Sequence, residues 1–158
     1  RGATPGRGAT AGRAAAEFER RLAAVQARVA GRPRPRTLLV FGRDPSSLRN
    51  IYASGGTGFL HDVLVAAGGD NVFADVARES VQASAELILA RAPAVIVELR
   101  TSELVGGADS GTGPWRRLAS VPAVRDGRVH ALSGDYLVVP GPRMAAAVEA
   151  LSRVLHPE

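Results

Sequence analysis

The sequence predicts an α/β fold: a three-layer αβα sandwich around a mostly parallel central sheet. Three observations predict it. Three short apolar runs are bounded by helix breakers, amphipathic helical patterns lie between them, and the 158-residue length suits one domain with a sizeable core. Unbroken hydrophobic strands alternating with helices are the pattern of a sheet covered on both faces.

Along the chain, residues 1–12 contain only Gly, Ala, Thr, Arg and Pro and read as a flexible segment. A helix is predicted over 14–29, where Phe18, Leu22, Val25 and Val29 recur on one face. Glu17 and Arg21 form a favourable i,i+4 pair on it, Gly31 ends it, and Pro33 and Pro35 prevent its return. The strands are 37–42 (TLLVFG), 93–99 (PAVIVEL) and 128–132 (RVHAL), expected as parallel neighbours. Helices are predicted at 59–67, 84–90, briefly near 115–119, and at 144–155.

Composition excludes several function classes. There is no cysteine, hence neither a disulfide framework nor a thiolate metal site. No apolar run approaches the ~20 residues of a membrane-spanning helix. The start, RGATPGRGATAG, shows no apolar signal-peptide core. The net charge of +5 is uneven: residues 1–36 hold nine Arg against two Glu, and the remainder holds eleven Arg against thirteen acids. With a mildly acidic body, 4% aromatics and no nucleic-acid motif, no nucleic-acid partner is expected.

The glycine-rich stretch 55–58 (GGTG) lacks the lysine and the spacing of a phosphate-binding loop. Two readings of it stay open. It can be a tight strand-to-helix turn with Thr57 as N-cap, a bare wall that a bulky ligand approaches beside the flat ring of Tyr52, or both together. His61, His130 and His156 are scattered and make no i,i+3 or i,i+4 metal pair, so no metal site and no catalytic residue is assigned. Trp115 reads as a packing anchor. Asp135 and Tyr136 follow the third strand, where open α/β sheets place ligand clefts.

The succession IYASGGTGFLHDVLVAAGGDNVFAD, SVQASAELILARAPAVIVEL, WRRLASVPAVRDGRVHAL and PGPRMAAAVEALSRVLHP resembles the C-terminal half of a periplasmic-binding-protein family. This is the helical-backbone class that serves ABC importers of cobalamin, siderophores and haem. The resemblance covers 13–158 and implies a connector helix at 13–30 followed by one α/β lobe at 36–158. It implies a chelated-metal or corrinoid ligand, no cofactor, and a periplasmic or extracytoplasmic location, with the signal peptide absent from this chain. A permease partner is also implied. So is either a missing N-terminal lobe or self-association as a dimer through apolar surfaces left bare, including the 14–29 helix face.

Carried over by position, the ligand-binding residues are Tyr52, Ser54, Gly55, Gly56, Thr57, Ser80, Asp135 and Tyr136. Ser80 stands where cobalamin binders tend to have a tryptophan. Glu86 matches the family's exposed glutamate that docks onto an arginine pocket of the permease. The alternative reading is a Rossmann-like enzyme acting on a nucleotide or sugar phosphate.

Overall fold

The computed structural model describes residues 5–44, 47–100, 113–133 and 144–156. The chain forms α1 (Pro5–Val29), β1 (Arg36–Gly42), β2 (Ile51–Ser54), α2 (Phe59–Ala66), β3 (Asp70–Asn71), β4 (Ser80–Ala83), α3 (Ala85–Arg91), β5 (Val95–Arg100), a 3₁₀ helix (Gly113–Leu118), α4 (Pro122–Arg125), β6 (Val129–Ser133) and α5 (Met144–Leu155). The sheet order is β4-β2-β1-β5-β6, with β3 beside β1. As expected, the three apolar runs are parallel neighbours: Leu38 pairs with Ile96, and Ile96 with Val129.

Alternation along the strands divides the core between two faces. Leu39, Val95, Val97 and Leu99 pack under α1, α2 and α5 with Val25, Leu64, Val148 and Leu151. Leu38, Val40, Ile51, Ala53 and Ile96 pack on the other face with Phe73, Ile88, Trp115 and Ala123. Helices therefore cover both sides of the central strands, giving the three layers.

The antiparallel edge was not anticipated. β2 runs antiparallel to β1, and β4 antiparallel to β2. Two helical boundaries also differ. The helix reaches back to Pro5, which corrects the flexible reading of 1–12 for residues 5–12. Proline suits a first helical position, and Arg7, Ala9 and Ala11 favour the helix while Gly6, Gly8 and Gly12 weaken it. At α2 the cap is Gly58 (φ +96°) and not Thr57, and no side chain accepts from the helix terminus. By contrast, Ser84 caps α3 as its sequence suggests, its hydroxyl accepting from the Leu87 N–H at 3.1 Å.

Leu22, Val25 and Val29 pack against the core under α2 and α5, so that face of α1 is not left bare, which removes the helix half of the expectation of exposed apolar surface. The docking is reinforced by charge. Arg21 grips Glu149 of α5 with two hydrogen bonds, at 2.9 and 2.5 Å, and Arg28 donates to Ser152 at 2.5 Å. The Arg21 hydrogen bond, with that residue's charge behind it, holds the Glu149 carboxyl below the usual glutamate range. A carboxylate depressed in the folded state contributes stability above the unfolded value and loses it as pH falls through the folded one. We therefore expect the α1–α5 contact to loosen below the ordinary glutamate range. Glu149→Gln should remove that component of the acid response, read as amide exchange of α1 residues 21–29 against pH. An unchanged response in the variant would assign the loosening to another group.

Candidate functional site

β1, β5 and β6 are parallel, so their carboxyl ends at Gly42, Arg100 and Ser133 share one edge of the sheet. Because β2 is antiparallel, its first residues lie at that same edge: Tyr52 stands opposite Gly42, and Ile51 opposite Ala83 at the end of β4. Ile51 and Ala53 point into the core, so Tyr52 points to the other face, together with its cross-strand partner Gln82. Beyond β1 that face is open among the described residues. Tyr52 is 40% exposed, Gln82 and Ser80 are exposed, and the Phe41 ring flanks Tyr52 at 6.4 Å in a tilted pair. The result is a shallow face of two aromatic rings, one small hydroxyl side chain and one amide, suited to a flat apolar ligand with polar margins.

The glycine loop does something different. It leaves β2 toward the amino edge, where Asn71, paired with Thr37, gathers it. The Asn71 amide donates to the Gly55 carbonyl at 3.0 Å, and its oxygen accepts from the Phe73 N–H at 2.9 Å. That amide also lies 3.2 Å from His61 Nδ1. The Gly55 N–H donates to the Glu79 carbonyl at 3.1 Å, and the Gly56 N–H to the Val76 carbonyl at 2.8 Å. A methyl group at Gly55 would meet the Arg78 carbonyl oxygen at 2.0 Å, and one at Gly56 the Ala74 oxygen at 2.2 Å. These glycines exist because backbone meets backbone there.

This corrects the picture of an open glycine wall beside Tyr52. Ser54 and Gly55 are buried with their polar groups engaged inside the chain, Gly56 is half-buried, and only Thr57 is exposed. It also weakens the nucleotide alternative, whose glycine loop belongs at the carboxyl end of a parallel strand before a helix. Asp135 and Tyr136 lie outside the described residues; β6 reaches the carboxyl edge at Ser133.

Glu86 is exposed on the first turn of α3, which starts just after β4 ends at that edge. The histidines remain apart. His156 is buried, its Nε2–H donating to the Gly68 carbonyl at 2.9 Å. His130 lies in β6, its pKa pushed down by burial and then by Arg128. Among the described residues no three His, Asp or Glu side chains converge on a metal position.

Sequence reasoning missed a buried ionic cluster beneath the carboxyl edge. Glu98 of β5 is 3% exposed and accepts from Arg43, which follows β1, and from the Trp115 indole N–H at 2.9 Å. The signal was present in PAVIVEL: a lone acid in a strand with both faces covered requires a partner. Gln82 and Phe41 were missed as well, because the edge strand that aligns them was not recognised.

A family model described as periplasmic binding protein matches residues 6–136. A vitamin B12-binding protein of Salmonella typhimurium is 32% identical over 134 residues, covering 84% of this chain and 45% of that protein. Its counterpart in Yersinia pestis is 30% identical over 138 residues, 87% of this chain and 44% of that one. A crystal structure of a periplasmic vitamin B12-binding protein from Vibrio cholerae superposes with a TM-score of 0.72 at 28% identity, over 89% of this chain and 51% of the other. A periplasmic heme-binding protein from Roseiflexus gives 0.72 at 26% identity, over 91% and 54%. The chain spans about half the length of the relatives it matches.

Proposed function

The chain belongs to the periplasmic binding protein family, and on that premise we propose that it is the C-terminal lobe of a solute-binding protein that delivers a metal chelate or corrinoid, such as siderophore, haem or cobalamin, to an ABC-type importer. The proposal places it in the periplasm or an equivalent extracytoplasmic space, and its natural complement is a second lobe across the carboxyl edge. A second copy of this chain is the other candidate for that place. The observation that carries the reading is the open Tyr52 face, flush with the edge where α/β sheets meet their ligands, in a chain whose relatives are named for vitamin B12 and haem. Tyr52, Ser80 and Gln82 then form this lobe's share of the ligand surface, with Asp135 and Tyr136 as further contributors. Haem would use the Tyr52 hydroxyl as an iron ligand; a corrin would use its ring.

Glu86 is the proposed contact with the permease. An exposed carboxylate fixed on a capped first turn can meet a guanidinium with both oxygens. The test is uptake by vesicles carrying the permease and ATPase, supplied with a receptor that contains this lobe. Glu86→Ala should lower uptake and its sensitivity to salt, because a rim charge acts mainly on encounter, while ligand affinity stays at the wild-type value. Lost ligand binding with unaltered permease association would refute the assignment.

A further inference from the structure

We propose that Arg43 is the positioning residue for the ligand-facing rim, holding the loop that delivers Tyr52 to the carboxyl edge. The proposal rests on reading that edge as the ligand side. Arg43 is the first residue after β1, and its side chain is nearly as buried as that of Glu98, at 6% and 4% exposure. One side of the guanidinium faces inward, where Nε and Nη2 donate to the two Glu98 oxygens. The plane lies over the Trp115 ring, 5.9 Å from its centre, and the indole N–H shares the same carboxylate. The other side faces the β1–β2 loop. Nη1 donates to the carbonyls of Asp44 at 2.8 Å and Ser47 at 3.3 Å, so the loop is wound onto the charge that β5 anchors.

The loop closes on itself around the same point. The Asp44 N–H donates to the Arg49 carbonyl at 3.0 Å, and the Asn50 amide donates to the Asp44 carboxylate at 3.1 Å. Asn50 takes a left-handed conformation (φ +52°) that turns the chain directly into Ile51 and Tyr52. The β1–β2 pairing itself is irregular there, its register shifting between Val40 and Gly42, so Tyr52, in regular register with Gln82 on its β4 side, meets β1 across a bulge. A buried ion pair is an expensive way to hold a core that leucine or methionine would fill. What hydrocarbon cannot supply is the fork that joins strand, indole and loop carbonyls at once, and the rim beside Tyr52 gains from it.

The test needs no ligand and therefore separates this proposal from the functional reading. Amide exchange is followed by NMR in the 158-residue chain, in Arg43→Met/Glu98→Leu, which removes both charges while keeping apolar volume, and in Arg43→Lys, which keeps charge without the fork. In both variants the amides of residues 47–52 should exchange about tenfold faster or more, while those of Val95–Val97 stay within about threefold of wild type. If the double variant does not fold, the same ratio in Arg43→Lys decides. Unchanged rates at 47–52, or acceleration spread equally over β5, would overturn the proposal and leave Arg43 a general stabiliser.

Discussion

Gly55→Ala should destabilise the fold by about 3 kcal/mol, the upper end of what overpacking usually costs. The added methyl would sit 2.0 Å from a backbone oxygen, that of Arg78, which cannot swing aside as a side-chain tip can. To admit it, the 74–79 segment must move away. That breaks the Gly55-to-Glu79 and Gly56-to-Val76 hydrogen bonds and pulls on β4, whose first residue is Ser80. For a domain of this length the loss corresponds to a fall in Tm of about 6–12 °C. Gly12 and Gly113 provide the contrast, since a methyl at either meets nothing within 4 Å. Gly113→Ala should stay within about 0.5 kcal/mol, and Gly12→Ala, inside α1, should stabilise by up to about 1 kcal/mol. Thermal unfolding of the three variants decides the matter. Equal midpoints for Gly55→Ala and Gly113→Ala would mean that the loop does not close as described.

Tyr52→Ala should weaken ligand binding by about 1–3 kcal/mol, or about 5–150-fold, in a receptor that pairs this lobe with its complement. The ring is 40% exposed and rests beside Phe41, so covering it with a flat ligand buries apolar area that alanine does not offer. Its exposure also means that truncation should barely change the unfolding midpoint, which separates a binding effect from a folding one. Tyr52→Phe divides the ligand classes. Retained affinity indicates a face contact, as a corrin or an apolar chelate would make. A loss as large as that of alanine indicates that the hydroxyl oxygen itself binds, as an iron ligand would require.

What could be read in the sequence followed from burial on both faces. TLLVFG and PAVIVEL are strands at the centre of the sheet, where helices on either side allow such runs, whereas RVHAL stands at the end of the described strand order and is only half-buried. α5 was legible to the residue, because Met144, Ala147, Val148, Leu151 and Leu155 recur on one helical face. The edge strands were not legible. IYAS and SVQA are four residues each, show no clean alternation of burial, and each carries a terminal serine that also reads as loop. Missing them misplaced the glycines by the length of the sheet, since an antiparallel β2 carries the GGTG turn away from the edge that holds Tyr52. Arg43 and Glu98 stand fifty-five positions apart in sequence, and only strand pairing brings them together. The residues that make the site open, Tyr52, Ser80 and Gln82, are ordinary in sequence; the register of two short strands makes them neighbours.

The central claim is tested most directly by equilibrium titration of the two-lobed receptor containing this chain with cyanocobalamin, hemin and a ferric hydroxamate, and with a nucleotide and a sugar phosphate alongside. The account predicts saturable one-to-one binding of at least one chelate or corrinoid at a Kd of about 1 μM or tighter, weakened by Tyr52→Ala, and no saturation with either phosphate. Saturation by the nucleotide or sugar phosphate, with none of the three chelates binding, would contradict it.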